Sequence, residues 1–311
     1  SQGNLLDKLS FGLQIEGSSS GRLPNGIGEF QQFSEQATPG QKNVIQESPS
    51  IMINEVMARN QTVIYPGMAG TPDWIELLNK TDGFIDLSGM RLRLDGADEW
   101  VLPDGIYLEG HDHFIVWFDG DDLIRRGEFS GIVVDRSLPA SGAGIELLTA
   151  EGRLLDQLRF GIQVVDQTIG RKGNQWQLLV EGTPGKVNGN AVPLGLPDDL
   201  RINEWSGGGE GDDWLELYHR GNQPVDISGL YLTDDPSLAG KTKHAIANLS
   251  FVGPKSWVVF RADGEPQRGS DHLNFRISSK GETLRIYAES LNVIDEILVA
   301  DSLVQGGSSG R

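Results

Sequence analysis

The chain has 311 residues, with 44 acidic against 26 basic side chains for a net charge of −18, and no cysteine. Such an acidic surface repels nucleic-acid phosphates, and the missing cysteines exclude disulfide scaffolds, thiol catalysis and cysteine-ligated zinc. No apolar run approaches the ~20 residues a membrane-spanning helix needs, and the length suits two domains of roughly 150 residues.

Helical periodicity is almost missing. Short apolar or alternating runs bounded by Gly, Pro, Asn and Asp predict strands near residues 51–57, 74–78, 90–94, 114–118, 145–148 and 154–160. Six or more strands in about 135 residues fit a β-sandwich of immunoglobulin-like size. Within residues 73–77 (DWIEL), Ile75 and Leu77 share one face and Trp74 and Glu76 the other, because strand side chains alternate. The Ile/Leu face is the predicted core. Residues 86–89 (DLSG) read as a turn, and residues 100–118 as a strand, a Pro-Asp-Gly turn, a short strand, a loop and a buried strand.

This pattern is written twice. Residues 53–55 (INE), 73–77 (DWIEL) and 86–89 (DLSG) are answered by 202–204 (INE), 213–217 (DWLEL) and 226–229 (DISG). Residues 154–171, LLDQLRFGIQVVDQTIGR, repeat residues 5–22, LLDKLSFGLQIEGSSSGR, and are echoed by 293–311. A TPGxxN signature closes a copy at residues 38–43 and 183–188. Spacings of 149 and 140 residues between Arg22, Arg171 and Arg311 indicate whole domains in tandem, not solenoid turns. The predicted division is 1–43 as the C-terminal part of a domain, 44–50 a linker, 51–188 a domain, 189–198 a linker, and 199–311 a domain without its closing strand.

The ordered set of motifs, from INE through DW[IL]EL, D[LI]SG, the LPDG turn, GIEL at 144–147 and S-x-GR to TPGxxN, resembles the lamin tail domain family, in the forms of its bacterial branch. The resemblance covers nearly the whole chain. It implies an all-β fold of tandem immunoglobulin-like β-sandwiches, known in nuclear lamin tails and in secreted or surface-anchored bacterial proteins beside phosphatases, nucleases or other hydrolases. Lamins also carry a coiled-coil rod, and this chain has no heptad region, which argues against a nuclear filament. The second copy departs by replacing the LPDG turn with residues 250–254 (SFVGP) and by a segment at 233–247, and the first has its own insertion at 59–72. Loops at strand ends are where such folds place binding surfaces.

Several side chains are candidates for chemistry. Asp119, Asp121 and Asp122 in FDGDD offer hard oxygen ligands for calcium, although the ligand series of an EF-hand is absent, and a polar loop is the competing reading. His111 and His113 flank Asp112 with the i, i+2 spacing of strand ligands but bring no third ligand with them. Asp73, Glu76, Asp213 and Glu216 recur in both copies, where pairing to a loop backbone or to an Arg across the sheet suffices, because no nucleophile accompanies them. Arg22, Arg171 and Arg311 close each S-x-GR or TIGR, as an ion pair or backbone clamp would. Trp74 and Trp214, opposite the core face, either pack under a loop or line a recognition patch.

These residues predict no enzyme and no required cofactor. The expected role is a noncatalytic, extracellular or cell-surface structural array whose partners are copies of itself or neighbouring domains. The alternative is a module that binds carbohydrate or cell-envelope polymer for a larger secreted hydrolase. Residues 23–43 read as an ending without a beginning, and residues 199–311 as a domain awaiting one. Head-to-tail strand donation between residues 1–43 of one chain and the last domain of the next follows as an expectation.

Overall fold

The computed structural model describes residues 18–23, 29–34, 39–40, 50–66, 70–118, 131–207, 213–278, 280–299 and 309–310. Its contacts divide the chain into two units, residues 1–49 and 50–311, each taken by itself.

The described residues are almost entirely strand, turn and loop, without an α-helix. In the larger unit, the first sandwich faces a six-stranded sheet with a four-stranded one. The six-stranded sheet runs Ile132–Val134, His113–Phe118, Asp73–Asn79, Ile51–Met57, Ile169–Lys172, Gln175–Leu178, and the other Leu154–Phe160, Ala143–Leu148, Arg91–Leu94, Asp98–Val101. The core lies between them, with Ile53, Ile75 and Leu77 from one sheet meeting Leu92, Ile145 and Leu147 from the other. Each such fully buried side chain contributes about 1.5–3 kcal/mol relative to exposure.

The second sandwich repeats the plan. One sheet holds Trp257–Arg261, Trp214–His219, Leu200–Ser206 and Ser309–Gly310, and the other His244–Ala245, Tyr231–Thr233, Glu282–Tyr287 and Val293–Val299. Part of the 233–247 segment, expected to be a strand-end loop, is therefore an edge strand, with Leu232 paired to His244 as Leu92 is paired to Trp100.

The INE motif has a local cause in both copies. Pairing register shifts between Ile53 and Glu55 and again between Ile202 and Glu204. Strict alternation would put Glu55 on the same face as Ile53. The extra residue, Asn54, instead sends Val56 into the core with Ile53 and leaves Glu55 opposite Glu76, on the other face. Bulges re-aim side chains in this way.

The two sandwiches are joined directly. Beyond Phe160 the chain runs against residues 248–252, where Gly161 N donates to Asn248 O at 2.9 Å and Phe251 N to Ile162 O at 2.8 Å. Gln163, 1% exposed, donates through Nε2 to Leu249 O at 2.7 Å. Phe251 packs into the first core and Ile162 into the second. The approach is too close for a side chain, since a Cβ at Gly161 would lie 2.0 Å from Ser250 Oγ. Residues 189–198 are held as well, through Val192 N to Leu178 O at 2.9 Å and Gly195 N to Pro224 O at 2.8 Å.

In the smaller unit, Ser18–Leu23 and Glu29–Ser34 form an antiparallel hairpin with Gly21 opposite Gln31 and Arg22 opposite Phe30. The final hairpin of the first sandwich has the same register, with Gly170 opposite Gln177 and Arg171 opposite Trp176. In each the guanidinium lies over the opposed ring, at 4.3 Å for Arg22 on Phe30 and 4.8 Å for Arg171 on Trp176.

Candidate functional site

The most concentrated polar cluster of the first sandwich is the outward face of its opening strands, where the closing segment comes down. Glu55 and Glu76 stand side by side, both fully buried. Glu55 accepts hydrogen bonds from Thr168 Oγ1 at 2.5 Å and Thr183 Oγ1 at 2.7 Å. Glu76 accepts from Asn54 Nδ2 at 2.7 Å and from the backbone N–H of Gly185 at 2.6 Å. Asn54 Nδ2 also donates to Asn188 Oδ1 at 2.9 Å, and Asn188 Nδ2 returns a bond to Arg171 O at 2.8 Å. The TPGxxN signature is thus a set of donors and acceptors matched to the INE and DWIEL carboxylates. Gly185 needs its glycine for the turn, at φ +75°.

Burial dominates the electrostatics. It pushes the Glu76 carboxyl up to about 8, against the pull of its Asn54 and Gly185 donors and with the neighbouring Glu55 adding to the rise. Glu55 is raised for the same first reason. Asp73 is raised to about 6 by burial, opposed by the backbone N–H groups of Asn60 and Leu138. Adjacent carboxyls shifted toward neutrality are a pattern that active sites share. Here, however, Glu55 and Glu76 are sealed from solvent and their oxygens are occupied by the protein's own closing segment. The arrangement latches the end of the domain to its beginning.

A second latch lies beside it. Arg171 Nη2 grips both Asp156 oxygens at 3.0 Å and Nε donates to Ile53 O at 2.8 Å, while Asp156 Oδ2 accepts from Ile53 N at 2.8 Å. Asp295 Oδ2 accepts from Ile202 N at 2.8 Å in the second copy. The arginine is both an ion pair and a backbone clamp. Arg311 lies outside the described residues.

Trp74 is fully buried, under Tyr65 and against Trp117, with edge-on ring separations of 5.8 and 6.3 Å. The loop at residues 59–66 is a cover, tied down by Asn60 N to Asp73 Oδ1 at 2.9 Å. Trp74 therefore offers no recognition surface, and its candidacy is corrected to that of a packing residue. Trp214 is half-buried on the corresponding face.

That face differs sharply between copies. Trp74, Glu76 and Leu78 pair with Trp117, Ile115 and His113, all buried except the partly buried Leu78. Their counterparts Trp214, Glu216 and Tyr218 pair with Arg261, Val259 and Trp257. Trp257 is 61% and Val259 42% exposed, and Glu216 is half-buried. Asn203 Nδ2 donates to Glu216 Oε1 at 2.6 Å, repeating the Asn54 to Glu76 bond. Sequence reasoning missed Asn54, Asn188, Asn203, Trp257 and Val259. The repeated INE and TPGxxN motifs were a signal for the asparagines, while the exposures had none.

The metal candidates fare differently. Asp119, Asp121 and Asp122 lie outside the described residues. His111 sits in a turn at φ +61° with Nε2 2.9 Å from Asp82 Oδ1, whereas His113 is buried in a strand, where burial lowers its pKa. No cluster of three or more metal-ligating side chains exists among the described residues. A cleft of about 240 Å³ opens at the junction between Arg59, Val164, Pro254 and Trp257.

Residues 45–161 match the family model described as Lamin Tail Domain. No curated relative matches the chain. Among solved structures, the Amycolatopsis orientalis exo-chitosanase CsxA is similar over 73% of this chain and 25% of its own, at 12% identity and a TM-score of 0.18. A complex of that enzyme with PNP-beta-D-glucosamine gives 14% and 0.19 over the same shares. The chain spans about a quarter of the length of these structures, and likeness at that level carries no argument.

Proposed function

From the premise that residues 45–161 form a lamin tail domain, a non-catalytic immunoglobulin-like module, we propose that this chain is an extracellular or cell-surface structural array. Its sandwiches space and assemble neighbouring domains or further copies. The observation that carries this reading is how the carboxylates common to both copies are used. Glu55, Glu76 and Asp156 are spent on closing the fold, and the junction at Gly161 fastens one sandwich to the next.

Assembly proceeds head to tail in this reading, with residues 1–43 of one copy adding to the last sandwich of another. Ser309–Gly310 already pair with Glu204 and Trp205, at the place Ile169 and Gly170 take beside Val56 and Glu55. For Glu29–Ser34 to add beyond them, as Gln175–Leu178 adds to Ile169–Lys172, it would exchange its pairing with Ser18–Leu23 for one with the strand of the other copy. Sedimentation of the purified chain tests this: concentration-dependent association is expected, and a monomer at all concentrations contradicts it. A screen for phosphatase, nuclease and protease turnover tests the noncatalytic reading. Turnover abolished by a point substitution in this chain would overturn it.

The exposed Trp257 beside half-buried Trp214 and Tyr218 favours a second reading, a binding face for carbohydrate or envelope polymer, because aromatic surfaces stack on sugars. Glycan-array binding lost on Trp257→Ala or Trp214→Ala supports it, and a silent array opposes it.

A further inference from the structure

We propose that Asn188 is a site of spontaneous covalent modification guarded by the latch. When the closing loop lifts, the backbone nitrogen of Gly189 attacks the Asn188 side-chain amide, and the acid that results bars the loop from closing again.

Of the asparagines among the described residues, Asn188 alone precedes a glycine. With no Cβ on the following residue, that backbone nitrogen is unshielded and can reach the side-chain carbonyl carbon. Gly189 N gives up its proton and bonds to Asn188 Cγ, the Cγ–Nδ2 bond breaks, and Nδ2 leaves as ammonia. Water then opens the cyclic imide on one side or the other, to aspartate or to isoaspartate. Nothing is oxidised or reduced, and solvent water is the one co-reactant.

In the closed loop the geometry blocks this reaction. Asn188 is 7% exposed, and both ends of its amide are held. Oδ1 accepts from Asn54 Nδ2 at 2.9 Å, while Nδ2 donates to Arg171 O at 2.8 Å and to Asn54 O at 3.2 Å. Cyclisation needs the amide to swing back onto its own chain, which breaks these bonds. The loop is nevertheless built to lift by itself. Its base is tied by Val180 N to Asn190 O at 3.0 Å and Val192 N to Leu178 O at 2.9 Å, and its tip is fastened to the sheet through Glu55, Glu76 and Asn54. A loop anchored at its base opens locally at less cost than the whole domain unfolds.

Conversion makes the opening one-way. An acid at position 188 has no N–H to return to Arg171 O and Asn54 O, so two carbonyl oxygens would face a carboxyl oxygen. It would also bring a third carboxyl beside Glu55 and Glu76, with the Asn54 amide already shared between Glu76 and residue 188. A buried charge without a partner is strongly disfavoured. Isoaspartate adds a further misfit by routing the main chain through the side-chain carbons.

The test incubates the full chain at mildly alkaline pH beside a synthetic peptide of residues 183–192, and peptide mapping by mass spectrometry follows replacement of the residue-188 amide by acid. Conversion in the chain should be at least about tenfold slower than in the peptide, because it waits on the open loop. Thr183→Val removes a hydroxyl donor to Glu55 without touching Asn188, and should speed conversion at least about fivefold, as loss of a buried hydrogen bond raises the open population. Gly189→Ala should nearly stop it in chain and peptide alike. An alanine Cβ there would meet nothing closer than Thr183 Cγ2 at 3.6 Å, so the melting temperature should hold. Conversion in the folded chain at the peptide's rate, no acceleration in Thr183→Val, or no conversion when urea opens the loop would each overturn the proposal. The lock-out is read separately by hydrogen exchange: Asn188→Asp should lose protection at the Gly185 N–H, and protection equal to that of the unsubstituted chain would overturn it.

Discussion

Glu76 accepts the backbone N–H of Gly185 across 109 residues of chain, at 2.6 Å. That one bond links the second strand of the first sandwich to its closing turn. Removing the carboxyl would take the acceptor from the buried Asn54 amide as well as from Gly185, and leaving a buried donor short of a partner costs about 1–3 kcal/mol. Glu76→Ala should therefore destabilise the first sandwich by about that amount or more, while Glu216→Ala, at the half-buried counterpart, should cost well under it. Paired thermal melts measure the difference, and equal losses would contradict the latch.

The same carboxyl gives the first sandwich a pH dependence of definite sign. Its folded pKa, about 8, lies above the ordinary 4.5 because burial penalises the charged form, and Asp73 at about 6 is shifted in the same direction. A raised folded value means stability that is full below about pH 4 and is lost as pH rises through the folded values. Melting of the first sandwich should fall between pH 5 and pH 9, and Glu76→Gln should flatten the upper part of that slope. A slope unchanged by the substitution would place the titration elsewhere.

The second sandwich should respond in the opposite sense through His244. Burial lowers this imidazole to about 4, and its Nδ1 accepts a bond from Asn274 N at 3.3 Å, which a protonated nitrogen cannot do. A depressed folded value for a histidine means stability present above about pH 6.5 and lost as pH falls through 4. Acid titration by NMR should find the His244 ring neutral at pH 5, and His244→Leu should reduce the loss of second-sandwich stability between pH 6 and pH 4.

Trp74 and Trp257 should separate packing from exposure. Trp74→Ala removes a fully buried ring from the cluster with Tyr65 and Trp117, and such truncations cost about 3–5 kcal/mol. Trp257→Ala, at a residue 61% exposed, should change stability by no more than about 0.5 kcal/mol. Denaturant melts of the two variants decide this directly.

Gly161→Ala should loosen the junction, because the new Cβ would meet Ser250 Oγ at 2.0 Å. Steric conflict of that size forces the strand from residues 248–251 or shifts the hydroxyl. Phe251 and Ile162, each packed in the other sandwich's core, would then be displaced. The expected result is a single calorimetric transition dividing into two. A single unshifted transition would show that the junction does not couple the sandwiches.

Much of this molecule was legible in its sequence because its information is local. Alternation in DWIEL put Ile75 and Leu77 in the core, the Asp-Leu-Ser-Gly turn holds Gly89 at φ +73°, and the repetition of motifs announced two sandwiches of one plan. The carboxylates of INE and DWIEL were legible as repeated but not as paired. Their partners Thr168, Thr183 and Gly185 are more than 100 residues away, and a single bulge at Asn54 decides which face Glu55 takes. Likewise, strand motifs that differ only in Ile75 against Leu215 carry a buried Trp74 and a half-buried Trp214. Side-chain type and strand period are properties of neighbours along the chain. Exposure depends on which distant segment lies across the sheet, and that depends on packing, so only the tertiary structure decided that Tyr65 and Trp117 enclose Trp74.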